Sequence, residues 1–319
     1  MNTYEVKDLL SLLKTHGGKN WTPPVIKGEI PHGDMPGDKV EIGPGHIAKA
    51  NAIFPVLLGE LQEALAVSGK AVVAVSGGSG VGKSEIASLL TYYLNDLGIG
   101  SYTLSGDNYP HRIPGQNDAE RLRIYRCAGI RGMLEAGVYS ADVAQPLMQM
   151  QLDEIDADPG YAERYPWLAV YQKAGREGLA RYLGTDAEQD FDGLSAILAR
   201  FKAGEERIWL KRMGRTETEL WYDQIDFTGT GVLIIEWTHG NSASLRGVDI
   251  PILLNSTPEE TREHRRQRGR DGKTDSAFTT AVLEIEQEKI ADRAKFAKII
   301  VSKSGEILTF EQYLAQMGV

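Results

Sequence analysis

Four glycines within six residues, followed at once by a lysine and a serine, form the part of this chain best suited to chemistry. Gly77, Gly78, Gly80 and Gly82 precede Lys83-Ser84, so Gly77 to Ser84 fits the pattern G-x-x-x-x-G-K-[ST]. A polyphosphate needs several donors converging on it. Glycines let successive backbone N–H groups point into one concavity without a Cβ in the way. In such a loop Gly77, Gly78, Ser79, Gly80, Val81 and Gly82 supply the amides, and Lys83 reaches the β and γ phosphates. Ser84 ligates Mg²⁺, and Glu85 continues the cradle into the next element.

Two carboxylates fall where the same chemistry would use them. Asp107 stands just past the strand expected over Ile99–Leu104, and Glu236 ends the apolar run GVLIIE at 231–236. In open parallel sheets ligands bind beyond the carboxyl ends of the strands, which places Asp107 beside the glycine loop. There it can accept a proton from an attacking hydroxyl or hold Mg²⁺ through water. The competing reading is an Asx turn in Ser-Gly-Asp-Asn. Glu236 occupies the usual second Mg²⁺ position of a phosphate-loop protein, with His239 three residues beyond. Arg262, Arg265, Arg266, Arg268 and Arg270 form the last charged feature. In an acidic protein this run reads as a mobile anion-binding lid, with a solvated face as its alternative.

The elements that must position these groups follow from patterning. Ala71-Val72-Val73-Ala74-Val75 is a buried strand, and Ile86, Leu89, Leu90, Tyr93, Leu94 and Leu97 recur at helical spacing up to Gly98. Strand, glycine loop and helix are the setting that gives the motif its meaning. Further strands are expected at 99–104, 231–236, 248–254 and 297–302, and a polar helix at 281–295. Residues 1–70 read as an N-terminal accessory segment that packs on the core and does no chemistry. It has a short helix carrying Leu9, Leu10 and Leu13, then a Pro/Gly-rich arm over 19–46. A second helix is expected to open at Pro55, with Leu57, Leu58, Leu61 and Leu65 on its apolar face. Residues 71–319 then form the main domain. Within it, 115–190 lacks β pattern and reads as a helical insertion or lid capped at Asp118, whose arginines decorate solvated faces; no internal repeat is visible.

Composition excludes several classes. A net charge of −9 argues against a nucleic-acid partner held by general electrostatics. Cys127 is the only cysteine, so neither an internal disulfide nor a cysteine zinc cluster can form. No apolar run approaches the roughly 20 residues of a membrane helix, and the N-terminus lacks a basic-then-apolar leader, so a cytoplasmic protein with no membrane partner is expected. The guanine-reading N-K-x-D of a GTPase switch is missing, which weakens the regulatory-NTPase alternative.

The chain resembles the phosphoribulokinase/uridine kinase/pantothenate kinase group of P-loop small-molecule kinases. The similarity rests on SGGSGVGKS at 76–84, Asp107-Asn108-Tyr109, FDGLSAILARFKAGE at 191–205 followed by Arg215, IIEWTHG at 234–240, and the arginine run with the strand near 295–301. It spans roughly residues 70–305 apart from the insertion. Trp237 stands where the family carries a glycine, and His111-Arg112 resembles a His-Arg pair of phosphoribulokinases shifted by one residue. The resemblance implies an α/β fold with a five-stranded parallel sheet flanked by helices, and MgATP-dependent phosphorylation of an alcohol. Asp107 and Lys83 would be catalytic with Arg266, Arg268 and Arg270, and Ser84 and Glu236 would hold the metal. Asp107, Tyr109, His111, Arg112, Arg215, Glu236 and His239 would face the acceptor. ATP and Mg²⁺ are the implied cofactors. The partner is a small-molecule hydroxyl acceptor of the sugar, polyol or nucleoside class, with a sugar phosphate or adenylyl sulfate as the alternative. A homodimer stays open as the assembly.

Overall fold

The computed structural model describes residues 13, 21–257, 259–263 and 276–317, and within them the chain falls into two compact units. The first comprises residues up to Tyr109 together with Asp190–Thr257 and Ile290 onward. It is built on a six-stranded sheet. Its strands are β1 (Ala71–Gly77), β2 (Ser101–Ser105), β5 (Val232–Glu236), β6 (Ile250–Leu254), β7 (Ile299–Val301) and β8 (Ile307–Leu308), ordered β2-β5-β1-β6-β7-β8. The first five are parallel, as expected, and the two-residue β8 adds an antiparallel edge. A hairpin of β3 (Arg207–Met213) and β4 (Leu220–Asp226) was also not foreseen.

The sheet is buried on both faces, which is why its strands read as continuous apolar runs. Val73, Val75, Ile234 and Ile252 face helices α1 (Pro44–Ser68) and α2 (Lys83–Asp96). Their neighbours Val72, Leu233 and Ile235 face α6 (Phe191–Lys202), with Phe191, Leu194, Leu198 and Phe201. The two-residue alternation of strand side chains separates the two cores. Helix α1 begins at Pro44, not Pro55, which lies inside it; Gly69 at φ 70° ends it in the left-handed region, its N–H bonded to Leu65 O. By length and composition α1 could cross a membrane. Its apolar face of Ile53, Phe54, Leu57, Leu58, Leu61 and Leu65 is instead buried against the sheet, as in a core helix. Residues 21–43 have no regular structure. Trp21 anchors them, its ring 4.7 Å from Phe54 and 5.2 Å from Tyr93.

The second unit holds Pro110–Gln189 and the stretch up to Lys289 that follows Thr257. Its helices are α3 (Pro114–Glu135), α4 (Ala141–Leu152) and α5 (Pro166–Ala180), joined by the first part of α7 (Ala277–Arg293). Asp118 is not the N-cap of α3, which already starts at Pro114. Arg123 and Arg131 of α3 are exposed as expected, but Arg121 and Arg126 are not. Arg121 Nε lies 2.6 Å from the fully buried Glu188, and Arg126 Nη2 lies 2.9 Å from the buried Asp156. Helices α3 and α5 meet along a glycine seam. A Cβ on Gly129 would fall 2.5 Å from the Tyr171 ring, and one on Gly175 2.8 Å from the Tyr125 ring; Gly132 and Gly178 likewise face Ala174 and Ala128. Tyr125-x-x-Ala128-Gly129-x-x-Gly132 and Tyr171-x-x-Ala174-Gly175-x-x-Gly178 are therefore the same eight-residue pattern, meeting itself. The expectation of no internal repeat is corrected on this point. Arg265, Arg266, Arg268 and Arg270, expected in a lid, and Leu9 and Leu10, expected in a first helix, lie outside the described residues. A short helix, α8 (Phe310–Met317), packs Tyr313 beneath Leu253 and Ile300.

Candidate active site

The loop between β1 and α2 has the shape its glycines require. Gly77 takes φ 150°, and a Cβ there would fall 2.6 Å from Leu254 O and 2.9 Å from Val81. Gly82 takes φ 96°, opening α2, with Ile86 N–H bonded back to Gly82 O at 3.0 Å. Lys83 folds over the loop and donates to Gly78 O at 3.0 Å. A helix N-terminus, a lysine and a turn of amides thus converge on one concavity, an arrangement suited to phosphate oxygens. The ring of His46, from the first turn of α1, lies beside it. Gly43 N–H donates to His46 Nδ1 at 3.1 Å, so Nε2 carries the proton of the neutral ring. A Cβ on Gly82 would sit 3.1 Å from that nitrogen.

Strand register then gathers the carboxylates. Glu236, the last residue of β5, lies opposite Val75 of β1 on one side and Ser105 of β2 on the other. Ser84 Oγ donates to Glu236 Oε2 at 3.1 Å, and Ser105 Oγ donates to Oε1. The Glu236 side chain is buried, 3% exposed. That desolvation, with the nearby negative charge of Asp107, pushes its carboxyl up to about 8; Ser105 and Lys83 pull the other way. Asp107 itself is exposed, in the 3₁₀ turn Gly106–Asn108 at the end of β2. Among the described residues no cluster of three or more His, Cys, Asp and Glu side chains is gathered to hold a metal alone. Ser84 and Glu236 offer a hydroxyl and a carboxylate side by side. Such a hard-oxygen pair suits Mg²⁺ shared with phosphate oxygens.

Trp237 explains how the chain does without the family's glycine. Its N–H bonds to Val75 O, and its ring is fully buried, 5.0 Å from Phe191 and 5.3 Å from His239. The room for the indole is taken from Gly106, where a Cβ would fall 2.1 Å from Trp237 Cγ. The glycine missing after Glu236 is matched by one before Asp107. His239 is accordingly packed edge-on against Trp237. Tyr109 is buried and its carbonyl accepts from Asp190 N at 2.8 Å. Arg215 sits exposed in the β3–β4 turn, its backbone N–H bonded to Glu219 Oε2 at 2.7 Å. His111 and Arg112 belong to the second unit, where His111 Nε2 lies 2.9 Å from Asp186 O and Arg112 Nη1 donates to Tyr182 at 3.0 Å. The structure thus brings the glycine loop, Lys83, Ser84, Glu236 and Asp107 to one sheet edge. It seats Tyr109 and His239 in the same unit, and gives His111 and Arg112 partners in the other.

Two residues at this edge carried no sequence signal. Gly33 and Asp34, in the irregular arm, stand beside Glu236 and the Asp107 turn. A Cβ on Gly33 would be 3.8 Å from Glu236 Oε1, while Asp34 accepts from Ser105 N at 2.7 Å. Residues 1–70 are expected to pack on the core, and the packing of their arm extends to the carboxyl ends of β2 and β5.

No protein-family model matches the chain. It is 40% identical over 239 residues to the bifunctional alpha-galactosidase/sucrose kinase AgaSK of Mediterraneibacter gnavus, across 75% of this chain and 20% of that protein. The chain therefore spans a fifth of that relative's length. It is also 31% identical over 148 residues to the adenylyl-sulfate kinase of Erwinia tasmaniensis, covering 40% of this chain and 74% of that enzyme. The chain belongs to the P-loop small-molecule kinases. Solved structures similar to this kinase include the D-glycerate 3-kinase of Cryptococcus neoformans (13% identity, 82% of this chain, 98% of that one, TM-score 0.43). Another is a putative fructose transport system kinase of Silicibacter sp. TM1040 (16% identity, 70% and 85%, TM-score 0.42).

Proposed function

We propose that this P-loop kinase transfers the terminal phosphoryl group of ATP to a hydroxyl of a small polyhydroxylated metabolite, with sucrose the first acceptor to test. The observation that carries the reading is the meeting of Ser84, Glu236 and Ser105 at the strand edge where Lys83 and Asp107 also lie. The choice of a sugar rests on the 40% identity to a fifth of a bifunctional alpha-galactosidase/sucrose kinase.

Each residue then has a task. The loop amides and Lys83 hold the phosphates, with Glu85 in the first turn of α2 behind them. Ser84 and Glu236 would hold Mg²⁺, which would supply positive charge against the phosphates. In that role Glu236 would be ionised, the form that burial disfavours and a neighbouring positive charge favours. Asp107, exposed at the mouth, accepts the proton of the attacking hydroxyl. Tyr109, His111, Arg112, Arg215 and His239 remain acceptor-side assignments, and Arg266, Arg268 and Arg270 remain assigned to charge on the moving phosphoryl group. Such a site works by positioning and electrostatics. We further assign the enzyme to the cytoplasm as a soluble protein. An anionic acceptor is the second reading, supported by the 31% identity to an adenylyl-sulfate kinase.

ATP consumption is measured with sucrose, other sugars, polyols, nucleosides, sugar phosphates and adenylyl sulfate, and products are identified by mass. A sugar gaining one phosphoryl group is the expected result. Phosphorylation of adenylyl sulfate or a sugar phosphate alone would establish the second reading. ATP binding without any phosphorylated product would overturn both.

A further inference from the structure

The arm preceding α1 contributes an acidic residue that no motif pointed to. Asp34 side-chain exposure is 7%, and four donors converge on its carboxylate. Oδ1 accepts from Ser105 N at 2.7 Å and from Asn108 Nδ2 at 3.1 Å. Oδ2 accepts from Tyr102 Oη at 3.0 Å and lies 2.9 Å from Arg212 Nη1. Arg212, on β3 and 6% exposed, also donates to the Tyr102 hydroxyl at 3.1 Å and reaches Asp223 at 3.1 Å. Asn108 completes the ring, its Oδ1 accepting from Met213 N at 3.0 Å. Ser105 and Asn108 bracket Gly106-Asp107, so one carboxylate ties down both sides of the turn that presents Asp107. Ser105 also carries the hydroxyl that holds Glu236.

The cost of this arrangement argues for a purpose. Burial raises the Asp34 carboxyl above its usual range, and the Arg212 charge with three hydrogen bonds only partly offsets that. A buried ion pair is poor value as a source of stability, since well-packed apolar side chains often do as well. What it supplies is fixed direction. Four donors on two oxygens leave the carboxylate one orientation, and the turn follows.

We propose that Asp34 is a positioning residue for phosphoryl transfer, acting through the Ser105–Asn108 turn to hold Asp107 at the end of β2. The proposal rests on the reading of Asp107 as the acceptor of the hydroxyl proton. It makes the N-terminal arm a part of the active site.

The test is a double-mutant cycle with MgATP and sucrose, or the acceptor the screen yields, alongside ADP binding by calorimetry. Asp34→Ala should lower kcat on the order of 10–100-fold, the effect of a misplaced reacting group. ADP affinity should stay within about twofold, because the loop amides and Lys83 are untouched. In an Asp107→Asn background, adding Asp34→Ala should cost less than about twofold more, since a residue that acts through Asp107 has nothing left to lose. Multiplicative losses in the double variant, or a normal kcat in folded Asp34→Ala, would overturn the proposal. An unchanged kcat in Asp107→Asn alone would instead overturn the reading beneath it. Should Asp34→Ala fail to fold, Asn108→Ala removes the turn-side partner and leaves the Asp34–Arg212 pair in place; the same cycle and the same limits apply.

Discussion

Replacing Glu236 by glutamine isolates the most strongly perturbed carboxyl of the site. Its carboxyl stands at about 8 against an ordinary 4.5, through burial and the charge of Asp107. Each pKa unit corresponds to about 1.4 kcal/mol, so the displacement amounts to roughly 3–5 kcal/mol. The sign follows from proton counting. Between pH 4.5 and 8 the folded chain keeps a proton that the unfolded chain has released, so stability is full below 4.5 and is lost as pH rises through 8. Glutamine fills the same space beside Ser84 and Ser105 but does not titrate. Thermal midpoints of both proteins, measured from pH 5 to 9 in chelator-treated buffer, should therefore diverge. The wild type falls relative to the variant by several degrees, and the variant is the more stable at pH 9. Asp107→Asn should move the divergence to lower pH by removing the like charge. Parallel curves for wild type and Glu236→Gln would refute the claim that the buried Glu236 carboxyl holds its proton above the usual range.

Three further outcomes follow from the same edge. Asp107→Asn should lower kcat about 10²–10⁴-fold with ADP binding retained, read by steady-state kinetics and calorimetry. Lys83→Ala should fold normally and lose about 10²-fold or more of turnover, because the phosphate charge loses its cation; near-normal turnover would unseat the phosphate-loop assignment. Gly106→Ala should cost about 1–3 kcal/mol in urea unfolding and reduce turnover as well, since the new methyl meets the Trp237 ring 2.1 Å away; an unchanged protein would mean that the turn is loosely held.

The sequence made the centre of the site legible and left its surroundings dark, for physical reasons. A parallel strand buried on both faces is apolar throughout, so β1 and β5 announce themselves, and glycines at fixed spacing have few other uses. The β3–β4 hairpin hides because β4, LWYDQID, is exposed along most of its length and mixes charge with aromatics. Its partner alternates Ile208 and Leu210 with Arg207 and Trp209, a two-residue rhythm confined to four residues. Pro55 misled because a proline marks a helix start only when no earlier turn exists to receive it, and Pro44 had already opened α1. Asp34 offered nothing local: His-Gly-Asp-Met-Pro reads as a turn, and its partners lie some 70 to 180 residues away. The repeat at Tyr125 and Tyr171 was readable from letters alone, but its meaning appears only when the two copies touch.

That contact has a consequence for how the chain chooses its own partner. A seam made of one pattern facing itself has approximate two-fold symmetry, and the same atoms would meet if α5 came from another copy of the chain. Nothing in the interlocking tyrosines and glycines tells the two apart. The discrimination lies in the tether, the roughly thirty residues through α4 that keep α5 at high effective concentration beside α3. Cutting or lengthening that tether would leave every interface atom in place and still change which molecule supplies the other half.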